Sequence, residues 1–205
     1  SGEVYAVGDS LSDTTLFRSL AANVPVAGGH DHTLAIKADG TLWSWGLNDQ
    51  GQLGDGTRTR RTTPIQVGSG YASVAAGNVH SAGIRTDGTL WAWGYNTSGQ
   101  VGDGSGSVSV QTPVQIGAGF ASVAAGNMHT VAIKSDGTLW AWGINDHGQV
   151  GDGTTSRRVS PVVVGSDFAF VAAGSVASHT VAIKTDGSLW AWGRNFWGQL
   201  GDGTL

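Results

Sequence analysis

The stretch GTLWSWGLNDQGQLGDGT (Gly40–Thr57) decides how this chain is read, because the chain repeats it three times. It returns as GTLWAWGYNTSGQVGDGS from Gly88, as GTLWAWGINDHGQVGDGT from Gly137 and as GSLWAWGRNFWGQLGDGT from Gly187. The Trp-x-Trp pairs (Trp43 and Trp45, Trp91 and Trp93, Trp140 and Trp142, Trp190 and Trp192) recur in steps of 48, 49 and 50 residues. A period of this length marks an architecture in which each unit buries its apolar face on the next. Within TLWAW the alternation is two, so both indoles lie on one strand face and Leu and Ala on the other. Neither face is polar, and a strand apolar on both sides must be covered on both sides.

Working outward, one full unit runs from Thr112 to Gly143 as TPVQIGAGFASVAAGNMHTVAIKSDGTLWAWG. It parses into β segments at Pro113–Ile116, Ala121–Ala125, Thr130–Lys134 and Thr138–Trp142. Asp136-Gly137 between the last two predicts a two-residue hairpin turn, as do Asp39-Gly40, Asp87-Gly88 and Asp186-Gly187. Four short strands per unit, covered on both faces, predict an all-β fold: a β-propeller of four-stranded antiparallel blades. A solenoid is the alternative architecture.

The composition agrees. A single glutamate and 13% charged residues leave too little polar surface for long amphipathic helices, while 34 Gly and 9 Trp suit short strands, tight turns and packed rings. A net charge of −4 argues against nucleic acid as a partner. The absence of cysteine excludes disulfides and thiolate metal sites. No apolar run approaches the length of a membrane span, so membrane insertion is not expected. The lack of cysteine and scarcity of lysine lean towards a bacterial, exported or cell-surface protein.

VAGGHDHTLAI (Val26–Ile36), VAAGNVHSAGI (Val74–Ile84) and VAAGNMHTVAI (Val123–Ile133), each followed by DGTLWxWGxNxxGQxGDG, resemble the repeat of the regulator of chromosome condensation family. The resemblance implies a β-propeller, usually of seven blades. The fourth unit departs at VAAGSVASHTVAI (Val171–Ile183), where two extra residues are expected to bulge a turn without destroying the strand. The units read as one domain, 1–205. Blade units fall at 24–46, 62–94, 112–143 and 160–193, with a diverged half-unit at 1–23 and a truncated following loop at 194–205. Four units invite three explanations: a fragment of a longer protein, a half-ring that closes with a second copy, or a small closed ring.

Residues constant from unit to unit read as scaffold. His32, His80, His129 and His179 are expected to bond backbone in each blade rather than to form a metal ring. Asp55, Asp103, Asp152 and Asp202 lack the clustered oxygens of a calcium loop and read as turn residues. Asn48, Asn96, Asn145 and Asn195 read as turn residues tolerating left-handed backbone. Gln52, Gln100, Gln149 and Gln199 are expected to satisfy backbone groups between blades. No nucleophile elbow, phosphate loop or HExxH is present, so neither an enzyme nor a cofactor is expected.

Residues that differ between units are the candidates for function. They are Leu47, Arg58, Arg60 and Arg61; Tyr95; Ile144, His147, Arg157 and Arg158; and Arg194, Phe196 and Trp197. Aromatic and arginine side chains dominate binding hot spots, and propellers bind through loops of one rim. The reading is therefore a non-enzymatic scaffold that binds a protein partner. One alternative is self-assembly, as a homodimer through the end blades. Another, carried by the family resemblance alone, is a guanine-nucleotide exchange factor.

Overall fold

The computed structural model describes residues 26–204, and the half-unit at 1–23 lies outside them. Among these described residues all regular structure is β, in four antiparallel sheets. The first runs β1 (Val26–Gly28), β2 (His32–Ile36), β3 (Leu42–Gly46), β4 (Arg61–Gly68). The second runs β5 (Tyr71–Ala76), β6 (His80–Arg85), β7 (Leu90–Tyr95), β8 (Ser109–Gly117). The third runs β9 (Phe120–Ala125), β10 (His129–Lys134), β11 (Leu139–Gly143), β12 (Arg158–Gly165). The fourth has three strands, β13 (Phe168–Ala172), β14 (His179–Lys184) and β15 (Leu189–Gly193). Three four-stranded sheets and one of three strands, all antiparallel, are the blades of a β-propeller.

The sheets are out of phase with the sequence units by one strand. The segment Pro113–Ile116, read as the opening of the unit Thr112–Gly143, lies in β8 and pairs with β7 of the preceding sheet, Trp91 opposite Gln115 and Ala92 opposite Val114. The reason is the long loop after each Trp-x-Trp strand. It turns the chain back antiparallel along that strand's free edge before the next sheet begins.

The Asp-Gly turns also differ from the two-residue form. Lys37 N–H bonds Thr41 C=O and Gly40 N–H bonds Lys37 C=O, both at 2.9 Å, leaving a three-residue loop. Only the glycine takes positive φ (77° at Gly40), as in a type I turn closed by a left-handed residue. Asp39 instead uses its carboxylate, which accepts from Thr41 N–H at 2.9 Å and Thr41 Oγ1–H at 2.6 Å. The hydroxyl then accepts from Trp43 Nε1–H at 2.9 Å. The same chain of bonds fixes Trp91 and Trp140. A cation lies over each of these rings, Lys37 at 3.7 Å from the Trp43 centroid and Arg85 at 3.9 Å from that of Trp91. The half-exposed first indole of each pair is thereby covered.

The core consists of layers between sheets. Leu34, Ile36 and Leu42 of the first sheet pack against Tyr71, Ala76 and Trp93 of the second. Ala82, Ile84, Leu90 and Ala92 of the second pack against Phe120, Ala132 and Trp142 of the third. Val131, Ile133, Leu139 and Ala141 of the third pack against Phe168, Val171 and Ala182 of the fourth. Each strand thus sends Leu and Ala forward and its Trp pair backward, the two-sided burial that the apolar alternation requires. The two extra residues of the fourth unit are absorbed in a turn closed by Ala177 N–H on Gly174 C=O at 2.7 Å, and both flanking strands persist.

Candidate interaction rim

The loops that could carry function are anchored by a joint that recurs between sheets. Trp93 Nε1–H donates to the Gln52 carbonyl of the preceding repeat at 2.9 Å, and Ser81 Oγ–H donates to the same oxygen at 2.8 Å. Trp142 and Thr130 meet Gln100 C=O in the same way, and Trp192 and Thr180 meet Gln149 C=O. The hydroxyl's single proton is thereby committed. The histidine Nε2 facing it must then be the donor: His32 to Ser81 at 2.9 Å, His80 to Thr130 at 2.9 Å and His129 to Thr180 at 3.0 Å. The histidines therefore bond a hydroxyl of the next sheet, not backbone as expected from sequence. Sequence spacing could not identify that partner, which lies 49 to 51 residues away.

The other ring nitrogen, Nδ1, is buried without a partner in all three histidines. A proton there would be a buried charge with no acceptor. Burial accordingly pushes His32 and His129 down to about 4 and His80 to about 3, with Asp31 working the other way on His32. Among the described residues no three His, Asp or Glu come together as a metal set.

Each loop after a Trp-x-Trp strand is organised by its asparagine. Asn48 is fully buried; its Oδ1 accepts from Leu53 N–H at 3.0 Å, and its Nδ2 donates to Asp55 at 2.9 Å and to the carbonyls of Thr57 and Thr59. Asn96, Asn145 and Asn195 hold their loops alike. None adopts the left-handed backbone expected of it: among the described residues Asp167 is the one non-glycine at positive φ. The glutamine side chain serves its own loop, Gln52 Oε1 accepting from Gln50 N–H at 3.0 Å. It is the glutamine's backbone carbonyl that bridges sheets. Asp55 is saturated by Thr57, Asn48 and Arg61. Burial works to raise its carboxyl, but those hydrogen bonds outweigh it and hold the group below the usual carboxylate range.

This geometry sorts the candidate residues. Arg61 and Arg158 are half-buried ion-pair partners of Asp55 and Asp152 and brace their own loops. Leu47, Tyr95 and Ile144 are half-buried, each with its N–H tied to the loop before the recurring histidine, at Asp31, Val79 and Met128. Two exposed arginines lace neighbouring loops together, Arg58 donating to Ser109 Oγ at 2.6 Å and Arg157 to Thr97 C=O at 2.7 Å. Arg60 is exposed.

The free side chains converge at the fourth repeat. His147 of the third loop meets Phe196 of the fourth edge to face, 5.4 Å between centroids, and the Arg194 guanidinium lies 4.9 Å over the same phenyl ring. Phe196 keeps 59% of its surface in solvent, at a position occupied by Asp49, Thr97 and Asp146 in the other repeats. Beside it Trp197 is 84% exposed. An aromatic group held rigid by a histidine and an arginine, yet open to solvent, can bury area on a partner at little entropic cost. The sequence singled out these residues individually. Their convergence required two loops to meet in space.

Comparison with known proteins gives one consistent picture. Human WBSCR16 is similar in structure, with a TM-score of 0.79 and 25% identity over 89% of this chain and 50% of that one. Prp20p from Saccharomyces cerevisiae, described with its binding properties to Gsp1p and histones, is similar with a TM-score of 0.78 and 25% identity over 90% of this chain and 49% of that one. In sequence, the ultraviolet-B receptor UVR8 of Arabidopsis thaliana is 43% identical over 42 residues, 20% of this chain and 10% of that protein. The chain thus spans a tenth of that curated relative and about half of the solved neighbours. The model of the RCC1-like domain matches residues 2–205, and with the repeat joints and blades in place the chain belongs to the RCC1-like domain family.

Proposed function

We propose that this protein is a non-enzymatic interaction scaffold that captures a protein partner on the loop rim, centred on Phe196, His147 and Arg194. The observation that carries this reading is the exposed phenyl ring of Phe196, clamped by groups from two successive repeats at a position that is polar in the other three. In the first three loops buried asparagine and glutamine side chains hold the backbone, and in the loop that carries Phe196 the less buried Asn195, Gln199 and Asp202 make the corresponding hydrogen bonds, so the rim presents a preorganised surface. Arg58, Arg60 and Arg157 extend the surface with positive charge, which suits a partner with an acidic patch.

The similarity to Prp20p supplies the first probes, a Gsp1p-type small GTPase and histones. Immobilised wild-type chain is expected to capture at least one of them, and Phe196→Ala or Arg194→Ala is expected to weaken capture about tenfold or more with unchanged thermal unfolding. Equal capture by wild type and both variants, or none by wild type, removes the rim reading. Nucleotide release from the GTPase, followed in parallel, tests the exchange-factor alternative, which requires acceleration.

A further inference from the structure

The loop after the second Trp-x-Trp strand is built differently from those before and after it. From its aspartate to the proline of the following strand it is one residue longer, Asp103 to Pro113 against Asp55 to Pro64 and Asp152 to Pro161. Val110 pairs with Gly94 where Arg61 and Arg158 pair with Gly46 and Gly143, so Asp103 has no guanidinium and is exposed. Asn48 and Asn145 each donate to two loop carbonyls, those of Thr57 and Thr59 in the first loop and of Thr154 and Ser156 in the third. The Asn96 amide reaches Asp103 and, at 3.4 Å, the Ser105 hydroxyl instead. The second loop thus lacks the ties that shape its neighbours, and at its tip Val108 is 58% exposed.

The flanking repeats supply what this loop lacks. Arg58 of the first repeat donates to Ser109 Oγ at 2.6 Å, and Arg157 of the third donates to the Thr97 carbonyl at 2.7 Å. Ser109 is the register partner of Tyr95, and Asn96 N–H bonds the Val108 carbonyl at 2.8 Å, so both arginines border one short stretch of chain. Among the described residues neither arginine is ion-paired. Thr97 stands where the first and third loops carry Asp49 and Asp146, which leaves Asp103 as the second loop's single acid. Each guanidinium spends one N–H on the loop and keeps further donors in a fork that matches a carboxylate. Half-buried Tyr95 and exposed Val108 add apolar surface between the two. The second repeat has a described repeat on either side, so this surface does not depend on where the chain begins or ends.

We propose that the second loop is a docking site for an acidic peptide segment of a partner protein. The forks of Arg58 and Arg157 take carboxylates of that segment, and Val108 and Tyr95 take an apolar side chain between them. The exposed Asp103 and the net charge of −4 weigh against a densely charged polyanion in the same place. The site rests on the reading of this chain as a binding scaffold, but on residues separate from Phe196, His147 and Arg194.

Fluorescence anisotropy with a labelled synthetic peptide, glutamates on both sides of a single leucine, tests the site without a known partner. The full chain is expected to bind it saturably and less tightly as salt rises, and to ignore the same peptide with lysine for glutamate. Arg58→Ala combined with Arg157→Ala is expected to weaken binding about tenfold or more with unchanged thermal unfolding, since both side chains are exposed. The double lysine variant, which keeps the charge and loses the fork, is expected to fall between. Phe196→Ala is expected to bind the peptide as wild type does, which separates this site from the Phe196 cluster. No saturable binding by wild type, or full binding by the double alanine variant, overturns the proposal. So does equal affinity for a single-stranded oligonucleotide of the same charge, which would make the site a phosphate site.

Discussion

The third sheet and the fourth carry nearly the same words, HTVAIKSDGTLWAWG and HTVAIKTDGSLWAWG, in different surroundings. In the third, Leu139, Ala141 and Trp142 are fully buried and His129 is bonded to Thr180 of the next sheet. In the fourth, Leu189 and Trp190 lie largely in solvent although the strands, the turn and the Trp190 hydrogen bond to Ser188 are all formed. Local sequence therefore suffices to build a blade, and the neighbouring blade supplies the burial. The stability of each unit resides in the interface with the next, as in other repeat proteins.

Acid is expected to have the largest effect, because it acts on every complete joint at once. His32, His80 and His129 are held neutral well below 6.5, so the unfolded chain binds protons that the folded chain refuses. Stability from this source is complete above about pH 6.5 and is lost progressively as pH falls through 6.5 towards 4. The interval from 6.5 to about 4 corresponds to about 3 kcal/mol per ring. Denaturant unfolding at a series of pH values should show a slope in that window approaching three protons taken up on unfolding. A flat profile from 6.5 to 4 contradicts the joint. Further loss in stronger acid comes from the carboxylates that hydrogen bonds hold below the usual range, among them Asp39, Asp87 and Asp136, bonded by the threonine two residues on, and Asp55 and Asp152 in the loops.

The next effect compares identical residues. Leu139→Ala removes a fully buried side chain and is expected to cost about 2–5 kcal/mol. Leu189→Ala at the equivalent position, largely in solvent, is expected to cost within about 0.5 kcal/mol. Equal losses in the two variants, measured by denaturant unfolding at low protein concentration, would mean that the fourth face is covered.

The smallest concerns the glycine before the histidine. A Cβ on Gly126 would fall inside the His129 ring, so Gly126→Ala must displace that ring and is expected to cost about 1–3 kcal/mol. Gly174 heads the expanded turn of the fourth unit, where an added Cβ would meet only the Ala177 methyl at 3.3 Å. Gly174→Ala is therefore expected to change stability by no more than about 0.5 kcal/mol. A large loss at Gly174 would show that the extra residues do not relax that turn.

Much of this was legible in the chain itself. The period of the Trp-x-Trp pairs, the two-residue alternation and the Asp-Gly turns specify strands, their faces and their hairpins, since these depend on residues close in sequence. The variable loop positions, Phe196 and Arg194 among them, also stand out by comparing one unit with another. Four matters were decided only in the tertiary structure. Which sheet Pro113–Ile116 joins depends on a strand edge reached across a long loop, and a repeating pattern looks the same whichever strand begins the count. The hydroxyl that receives each histidine is chosen by the stacking of sheets, and so is the meeting of His147 with Phe196. Asn48 is buried because its loop folds around it, which residue type alone does not reveal. Sequence periodicity specifies the direction in which a side chain points; what it meets depends on how one unit stacks on the next.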